Sequence, residues 1–253
     1  IIWTAAKDTV LYKIFLGISV ECERFYNYFN LRKSIDYGIS NEFYTYFTDY
    51  LLHPLTTLYN YIWESGVYPD KWSEGIIQPL HKKGSTDEPD NYRKLTLMAC
   101  MGKIFESIIN KRLVFQSEAT NIIDPYQFGF TKDCRTSDNV FILDTLISYQ
   151  KSKRKLLYVT FIDFSKAFDF VNRTFLYYKM IKKGFGGKLV KIIESMFSKS
   201  SARVRWEGEL GESIDSTHGA LQVGIVSPKL FKFYLSDIKD YFDQSCGITI
   251  VSE

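Results

Sequence analysis

An apolar, β-prone run that ends on a carboxylate constrains this chain more than any other feature. Residues 156–162 read LLYVTFI, and Asp163 follows directly. Such a run predicts a strand covered on both faces, with Asp163 emerging at its carboxyl end. A carboxylate that is partly removed from water there is costly unless a cation or a hydrogen-bond donor meets it. The sequence therefore predicts a specific partner for Asp163.

Two interpretations of Asp163 follow from the residues alone. In the structural one, Lys166 or the first amides of the next helix satisfy the carboxylate. In the functional one, Asp163 binds Mg²⁺, which prefers carboxylate and phosphate oxygens. Phe168, five positions later, either lies against whatever the metal holds or is an ordinary core phenylalanine.

Composition sets the protein class without defining a function. The 253 residues are 45% hydrophobic and 17% aromatic, enough for one large domain or two subdomains with a packed core. A net charge of +3 is too small to indicate nucleic-acid binding by itself. The four cysteines are far apart, which argues against a disulfide framework or a zinc site and suits a reducing compartment.

The sequence contains no apolar run long enough to span a bilayer and no clear signal peptide. We therefore expect no membrane association and an intracellular location, in the nucleus or the cytoplasm. Because the chain starts at Ile1 rather than at methionine, we expect it to be a piece of a longer reading frame.

Periodicity predicts an alternation of helices and strands. Apolar residues at helical spacing predict helices over 41–63, 104–113 and 140–147, the last two with stripes that belong to the core, while Pro54 marks a break or a new helix start. Short strands are predicted at 75–80, 202–206 and 213–217, the last two flanking a turn at 208–211. Ser227 as N-cap and Pro228 at the first helical position predict a further helix.

Seven stretches, in this order, resemble the reverse transcriptase domain of non-LTR retrotransposons of the LINE type, similar to Jockey and CR1. They are DYGIS (36–40), GVYPDKWSEGIIQPLHKKGSTDEPDNYRKLTLM (66–98), KIFESIINKRL (103–113), YQFGFTKDCRTSDNV (126–140), FIDFSKAFDFVNR (161–173), KKGFGGKLVKIIESMF (182–197) and HGALQVGIVSPKLFKFYLSDI (218–238). The alternative interpretation of these stretches is a reverse transcriptase of the group II intron type.

The resemblance implies an α+β fold, the fingers and partial palm of a right-hand polymerase, with an antiparallel sheet packed on helices and no thumb. It divides the chain into a flanking segment (1–34), a fingers-like region (35–155) and a partial palm (156–253). We expect 156–163 and the hairpin 202–217 to share the palm sheet. The loops 79–93 and 127–135 would form a separate fingers layer.

The same resemblance implies template-directed nucleotidyl transfer from a dNTP to a primer 3′-hydroxyl, with Mg²⁺ as cofactor and an RNA template and a DNA primer as partners. Asp163 matches the first metal-binding aspartate and is the catalytic and metal-binding candidate. Asp169 matches the second acid of the block, in a structural role as a cap or as the partner of Arg173. Phe168 matches the bulky residue that lies under the sugar and excludes a 2′-hydroxyl.

The remaining site residues are carried over from the matched motifs. Nucleotide contacts are implied for Phe164, Phe168, Gly219, Gln222 and Arg93, and nucleic-acid contacts for Lys82, Lys83, Gln127, Arg135, Ser227 and Pro228. We expect three of these side chains to converge, those of Asp163, Phe168 and Gln222. Arg93 is expected to face them across a cleft.

This sequence departs from the family pattern at several of these motifs. Leu221 and Thr131 stand at arginine positions, Val223 at a glycine position and Lys94 at a proline position. The sequence also has no Asp-Asp pair for the second metal-binding block. We therefore expect this chain alone not to extend a primer. A non-catalytic nucleic-acid-binding module and a remnant without a selected role are the alternatives.

Overall fold

A computed structural model of the chain describes residues 34–35, 46–120, 122–164, 167–216, 218–219 and 224–241. Within these ranges the helices are α1 (Thr48–Ser65), α2 (Cys100–Ala119), α3 (Thr136–Ser152), α4 (Arg173–Lys182), α5 (Gly187–Ser198) and α6 (Ser227–Tyr234). The strands are β1 (Ser34–Ile35), β2 (Glu74–His81), β3 (Tyr92–Ala99), β4 (Ser201–Trp206) and β5 (Glu209–Asp215). Short 3₁₀ turns lie at Asp70–Trp72, Pro89–Asn91 and Ile238–Tyr241. The fold is mixed α/β.

The strands form one mixed sheet with the order β1-β3-β2-β4-β5. The hairpins β2–β3 and β4–β5 are antiparallel, whereas β1 pairs with β3 and β2 pairs with β4 in parallel. The prediction of an antiparallel sheet is therefore correct for the two hairpins only. Sequence patterns identify strands next to each other in the chain but do not show how two distant hairpins pair.

The sheet joins both sides of the predicted boundary at residue 155. Strand β2 precedes this boundary and β4 follows it, yet Ile76 lies beside Arg203 and Ile77 beside Val204. Strands from the two regions therefore do not form separate layers. The assignment of 35–155 to fingers and of 156–253 to palm remains a prediction.

The strand predicted for 156–163 is wrong. This segment has no regular structure and pairs with none of the described strands. Its side chains are mostly exposed, with Tyr158 at 88% and Phe161 at 81%. A β-prone run forms a strand only where a neighbouring strand pairs with it by hydrogen bonds. The residue types within the run do not show whether such a neighbour exists.

Helix α3 forms as predicted, but its apolar stripe is not part of the core. Of the predicted stripe, Val140 and Ile147 are exposed and Leu143 and Leu146 are half-buried; Gln150 is the only buried residue of α3 among those described. The prediction that this stripe is buried is wrong. Apolar periodicity identifies a helix face that is suited to burial, but it does not identify another element that packs against that face.

The core lies between the other helices. Helix α2 contributes Phe105, Ile109 and Leu113, and the rings of Phe185 and Phe233 approach to 4.7 Å between centroids. Helix α1 continues through Pro54, so the break or new helix start predicted there is wrong. It ends at Ser65 and is capped by Gly66, which adopts a left-handed conformation. For α2, unlike α3, the apolar periodicity correctly predicted both the helix and its buried stripe.

Two local predictions are confirmed, although their bounds shift. The chain turns between β4 and β5 at Glu207 and Gly208, whereas residues 209–211 of the predicted turn belong to β5, and a helix begins at Ser227. The N-cap of α6 is Val226 rather than Ser227, so Pro228 occupies the second helical position. A proline there leaves no intrahelical donor unsatisfied, since the first amides of a helix have no partner within it.

Candidate functional site

A turn at residues 167–170 and the segment after β5 meet closely. The amide of Gly219 donates to the Val171 carbonyl at 3.0 Å. A Cβ atom at Gly219 would lie 2.8 Å from the carbonyl oxygen of Phe168 and 2.9 Å from that of Asp169. Gly219 also has a φ of +80°, which other residues rarely adopt. Only glycine fits this contact, and it brings together two motifs that lie far apart in the sequence.

Phe168 is held by two other aromatic rings. Its centroid lies 5.0 Å from that of Phe231 on α6 and 6.5 Å from that of Phe130. The side chain is half-buried, so one part packs and another faces solvent. The ring is therefore packed on one side and is not an ordinary core phenylalanine.

Strand β3 approaches the same turn through Lys94. Its Nζ atom lies 3.8 Å from the Asp169 carboxylate. Because neighbouring residues of a strand point to opposite faces, Arg93 points away from this turn. The structure therefore brings Lys94 to the motif and leaves Arg93 on the other face of the sheet. Arg173, the predicted partner of Asp169, binds main-chain and hydroxyl oxygens instead.

The loop before α3 is attached to α6 by polar contacts. Lys232 is buried, and its ammonium donates to the Gln127 carbonyl at 3.0 Å and to the Thr131 hydroxyl. The Gln127 side chain donates to the Leu235 carbonyl at 3.1 Å. Burial lowers the pKa of Lys232. Gln127 therefore has a structural role that its motif did not reveal.

The remaining basic candidates are exposed. Lys82 and Lys83 lie in the turn between β2 and β3, where the Lys82 amide donates to the Asn91 carbonyl at 2.8 Å. Arg135 precedes α3, and its amide donates to the Asp138 carboxylate at 2.7 Å, which caps the helix. The side chains of all three are accessible to a ligand.

Asp163 lies in the exposed segment before the 167–170 turn. It forms no hydrogen bond or ion pair with the residues that the structure describes, and Phe164 beside it is 46% exposed. Within the described ranges, no three His, Cys, Asp or Glu side chains gather as metal ligands would. Gln222 lies outside the described residues, so its predicted convergence with Phe168 stays a prediction.

Helix α6 begins on a buried carboxylate. Glu106 of α2 is 2% exposed and accepts from the Ile225 amide at 2.8 Å and from the Val226 amide. Burial raises the pKa of Glu106 to about 7, whereas these two amides and Lys103 act in the opposite direction. The positive end of a helix favours an anion at this place.

Residues 80–252 match the family described as reverse transcriptase (RNA-dependent DNA polymerase). The chain belongs to this family. The match covers more than half of the chain and includes every candidate site residue, from Lys82 to Pro228. Members of the family use divalent metal ions and act on a nucleic-acid template, a primer and nucleotides.

Curated relatives come from mobile elements. The chain is 27% identical, over 75% of its length, to the RNA-directed DNA polymerase from mobile element jockey of Drosophila melanogaster. It is also 27% identical, over 72% of its length, to the retrovirus-related Pol polyprotein from type-1 retrotransposable element R2 of Popillia japonica. These matches cover 21% and 25% of the two relatives, so the chain spans about a quarter of their length or less. The resemblance to non-LTR reverse transcriptases is confirmed.

Four residues at this candidate site were not identified from the sequence as site residues: Lys94, Glu106, Arg173 and Lys232. Glu106 had a detectable signal, because residues 102–109 are buried on all sides of α2 and a charge there needs a partner. The other three became evident only from contacts between distant segments. None of the described helices combines the length and apolar character needed to cross a bilayer.

Proposed function

We propose that this chain carries the nucleotide-pairing side of the catalytic site of an RNA-directed DNA polymerase from a non-LTR retrotransposon. The reaction is transfer of a nucleotide from a dNTP to the 3′-hydroxyl of a DNA primer on an RNA template. The contact of Gly219 with the carbonyls of Phe168 and Asp169 is the observation that carries the proposal. It places two reverse transcriptase motifs side by side.

Phe168 acts in this proposal as a steric selector. Its ring packs against Phe231 and lies near Phe130, and these contacts restrict its movement when a nucleotide binds. A fixed aromatic ring beneath the sugar leaves no space for a 2′-hydroxyl. Gly219 lets the main chain approach this ring, and Gln222 contacts the paired base three residues later.

Asp163 supplies one carboxylate to Mg²⁺, which when bound stabilises the charge that develops on the reacting phosphate. Its exposure and its lack of a partner among the described residues suit an acid that binds a ligand. One carboxylate fits one position of an octahedral ion and does not make a two-metal centre, because Mg²⁺ takes several oxygens, including those of substrate phosphates.

The exposed cations bind the nucleic-acid backbone in this proposal. We expect the chain to bind an RNA–DNA template–primer with an affinity that falls steeply as salt rises, because each phosphate contact releases counterions. Changing Lys82 and Lys83 together to alanine should weaken binding and lower the salt dependence by about 1 to 2 in log–log slope. Lys182 and Lys183, changed in the same way, provide a matched control. Equal effects of both pairs would argue against a site at the β2–β3 turn.

Primer extension tests catalysis. The chain should be joined to the part of the jockey polymerase that follows the matching region and then assayed with an RNA template, a DNA primer, dNTPs and Mg²⁺. We expect extension that Asp163→Ala abolishes and that Asp144→Ala, an exposed acid on α3, leaves intact. Binding without any extension by the joined protein would favour the alternative, a non-catalytic nucleic-acid-binding remnant.

A further inference from the structure

Helix α6 is held at both ends by charged side chains from two other helices. The carboxylate of Glu106 on α2 contacts the main chain where α6 begins, and the ammonium of Lys179 on α4 contacts the main chain where α6 ends. Both residues are buried. The family match covers both of them without giving either one a role.

The contact at the start of α6 complements the charge of the helix. The Glu106 carboxylate accepts from the amides of Ile225 and Val226, the two residues directly before α6. The first amides of a helix have no partner within it and carry a partial positive charge, so a carboxylate is favourable there. Because Glu106 belongs to α2, the same contact ties the start of α6 to the helical core.

The contact at the end of α6 has the opposite sign. The Lys179 Nζ atom donates to the carbonyl of Tyr234, the last residue of α6, at 2.6 Å, and it also pairs with the Asp237 carboxylate. The same atom lies 4.7 Å from the ring centroid of Phe175 and 5.3 Å from that of Tyr234. The last carbonyls of a helix carry a partial negative charge, which a cation stabilises.

Helix α6 carries the groups that pack around Phe168. The Phe231 ring lies 5.0 Å from the Phe168 ring between centroids. The next residue, Lys232, donates to the Gln127 carbonyl at 3.0 Å, and the loop after Gln127 contains Phe130, whose ring lies 6.5 Å from that of Phe168. Phe130 has a φ of +55°, a conformation that is uncommon outside glycine, so contacts such as that of Lys232 must maintain it. The position of both rings beside Phe168 therefore depends on α6.

A steric selector works only while its ring stays in place. We propose that Glu106 and Lys179 are positioning residues that hold the two ends of α6 and thereby set the position of the Phe168 ring. Selection of dNTPs over ribonucleotides then depends on two buried side chains that belong to other helices. The functional part of this inference rests on the proposed function, whereas the anchoring of α6 does not.

Amide hydrogen exchange of the complete chain tests the anchoring at the start of α6. Glu106→Ala removes the acceptor of the Ile225 and Val226 amides and should speed their exchange about tenfold or more. Glu106→Gln, which keeps an acceptor oxygen, should restore part of the protection. Glu194→Ala, at an exposed position on α5, is the matched control and should leave both amides unchanged.

The same measurement tests the end of α6. Lys179→Met keeps an unbranched side chain of similar length but removes the ammonium. It should speed exchange of the Leu235 and Ser236 amides, which donate to carbonyls of the last turn of α6, about fivefold or more. Lys182→Met, at an exposed position on the same helix α4, is the matched control.

Nucleotide selection tests the function. The chain joined to the following part of the jockey polymerase, as in the primer-extension test, should be given one dNTP or the matching ribonucleotide, and the two kcat/KM values compared. Glu106→Ala and Lys179→Met should each lower the preference for the dNTP about fivefold or more. A smaller folded fraction lowers both rates by the same factor, so loss of stability alone leaves this ratio unchanged.

Phe168→Ala supplies the reference for that ratio. It should lower the preference for the dNTP at least as much as either anchor variant. Adding Glu106→Ala to Phe168→Ala should lower the preference little further, because residues that act through one another are not additive. A full additional loss would mean that Glu106 acts on selection without Phe168, which would overturn the positioning role.

The remaining outcomes separate the inference from the proposed function. Unchanged exchange at both ends of α6, or faster exchange spread evenly over the chain, would overturn the anchoring. Faster exchange at α6 with an unchanged nucleotide preference would overturn the positioning role. A joined protein that does not extend primers, or in which Phe168→Ala leaves the preference unchanged, would overturn the proposed function, while exchange still decides the anchoring. Glu106→Gln and Lys179→Met keep both tests decisive if Glu106→Ala does not fold.

Discussion

The helical core and the region 136–164 have similar apolar patterns but opposite environments. Ile109 on α2 and Ile192 on α5 are completely buried, whereas Phe141 on α3 is 71% exposed and Phe161 is 81% exposed. Both regions show the periodicity of buried elements. The difference lies in the neighbours. Other helices pack against α2, whereas few of the described residues pack against the side chains of 136–164.

This contrast divides the candidate site. Phe168 and Gly219 are attached to the packed half through Phe231, Arg173 and α6. Asp163 lies on the exposed half, four residues before the turn begins. The residues proposed to select and position a nucleotide therefore pack within the described chain, whereas the proposed metal-binding acid is exposed.

The largest expected effect tests the contrast directly. Phe105→Ala should lower the free energy of unfolding by about 3–5 kcal/mol, because it leaves a cavity between Tyr59 and Tyr68. Phe141→Ala should change it by less than about 0.5 kcal/mol. Urea unfolding followed by circular dichroism measures both. A large loss from Phe141→Ala would mean that α3 is covered in solution, and the contrast would fail.

The second prediction concerns the buried acid of the packed half. Folding raises the pKa of Glu106 from 4.5 to about 7, so between these pH values the folded chain binds a proton more tightly than the unfolded chain. The Glu106 contribution to the free energy of unfolding should therefore fall as pH rises through this window, by on the order of 3 kcal/mol in total. It should not change above pH 7.

Glu106→Gln provides the comparison for that measurement. The difference in free energy of unfolding between the wild type and this variant, taken at a series of pH values, removes the contributions of other groups. A difference that does not depend on pH would mean that Glu106 is as exposed to water as the acids of α3.

A third prediction reverses an expectation from the sequence. Family resemblance favours arginine at Thr131 for phosphate binding, but the buried ammonium of Lys232 contacts the Thr131 hydroxyl. Thr131→Arg should place two cations together and lower the free energy of unfolding by ~1–3 kcal/mol. Thr145→Arg on exposed α3 should have almost no effect. An unchanged melting temperature for Thr131→Arg would show that Lys232 is free to leave its position.

The smallest effect is expected at the ion pair between the sheet and the turn. Lys94 is 60% exposed and lies 3.8 Å from Asp169, so solvent screens the attraction. Lys94→Gln should lower the free energy of unfolding by no more than about 0.5 kcal/mol. A larger loss, particularly one that persists in high salt, would place this pair in the packed half of the molecule.

The sequence predicted most elements but not how they meet. Period-two alternation shows that Arg93 and Lys94 face opposite ways, yet it does not tell which of them faces Asp169. The apolar stripe of α2 predicted its buried face, whereas the role of Glu106 depends on Ile225, directly before the start of α6 and more than a hundred residues later. The family resemblance predicted that Phe168 and Gln222 converge but did not predict the contact of Gly219 with Phe168, because no local pattern encodes a contact across the fold.

The parallel pairing of β2 with β4 also affects how the chain folds. The two strands that meet at Glu74 and Ser201 are separated by most of the helical core. Contacts between such distant residues form slowly, because a long loop must close before they are made. During synthesis, the edge of β2 is therefore exposed until β4 leaves the ribosome. An unpaired strand edge is a template for association, so this interval is when the nascent protein is most prone to aggregate.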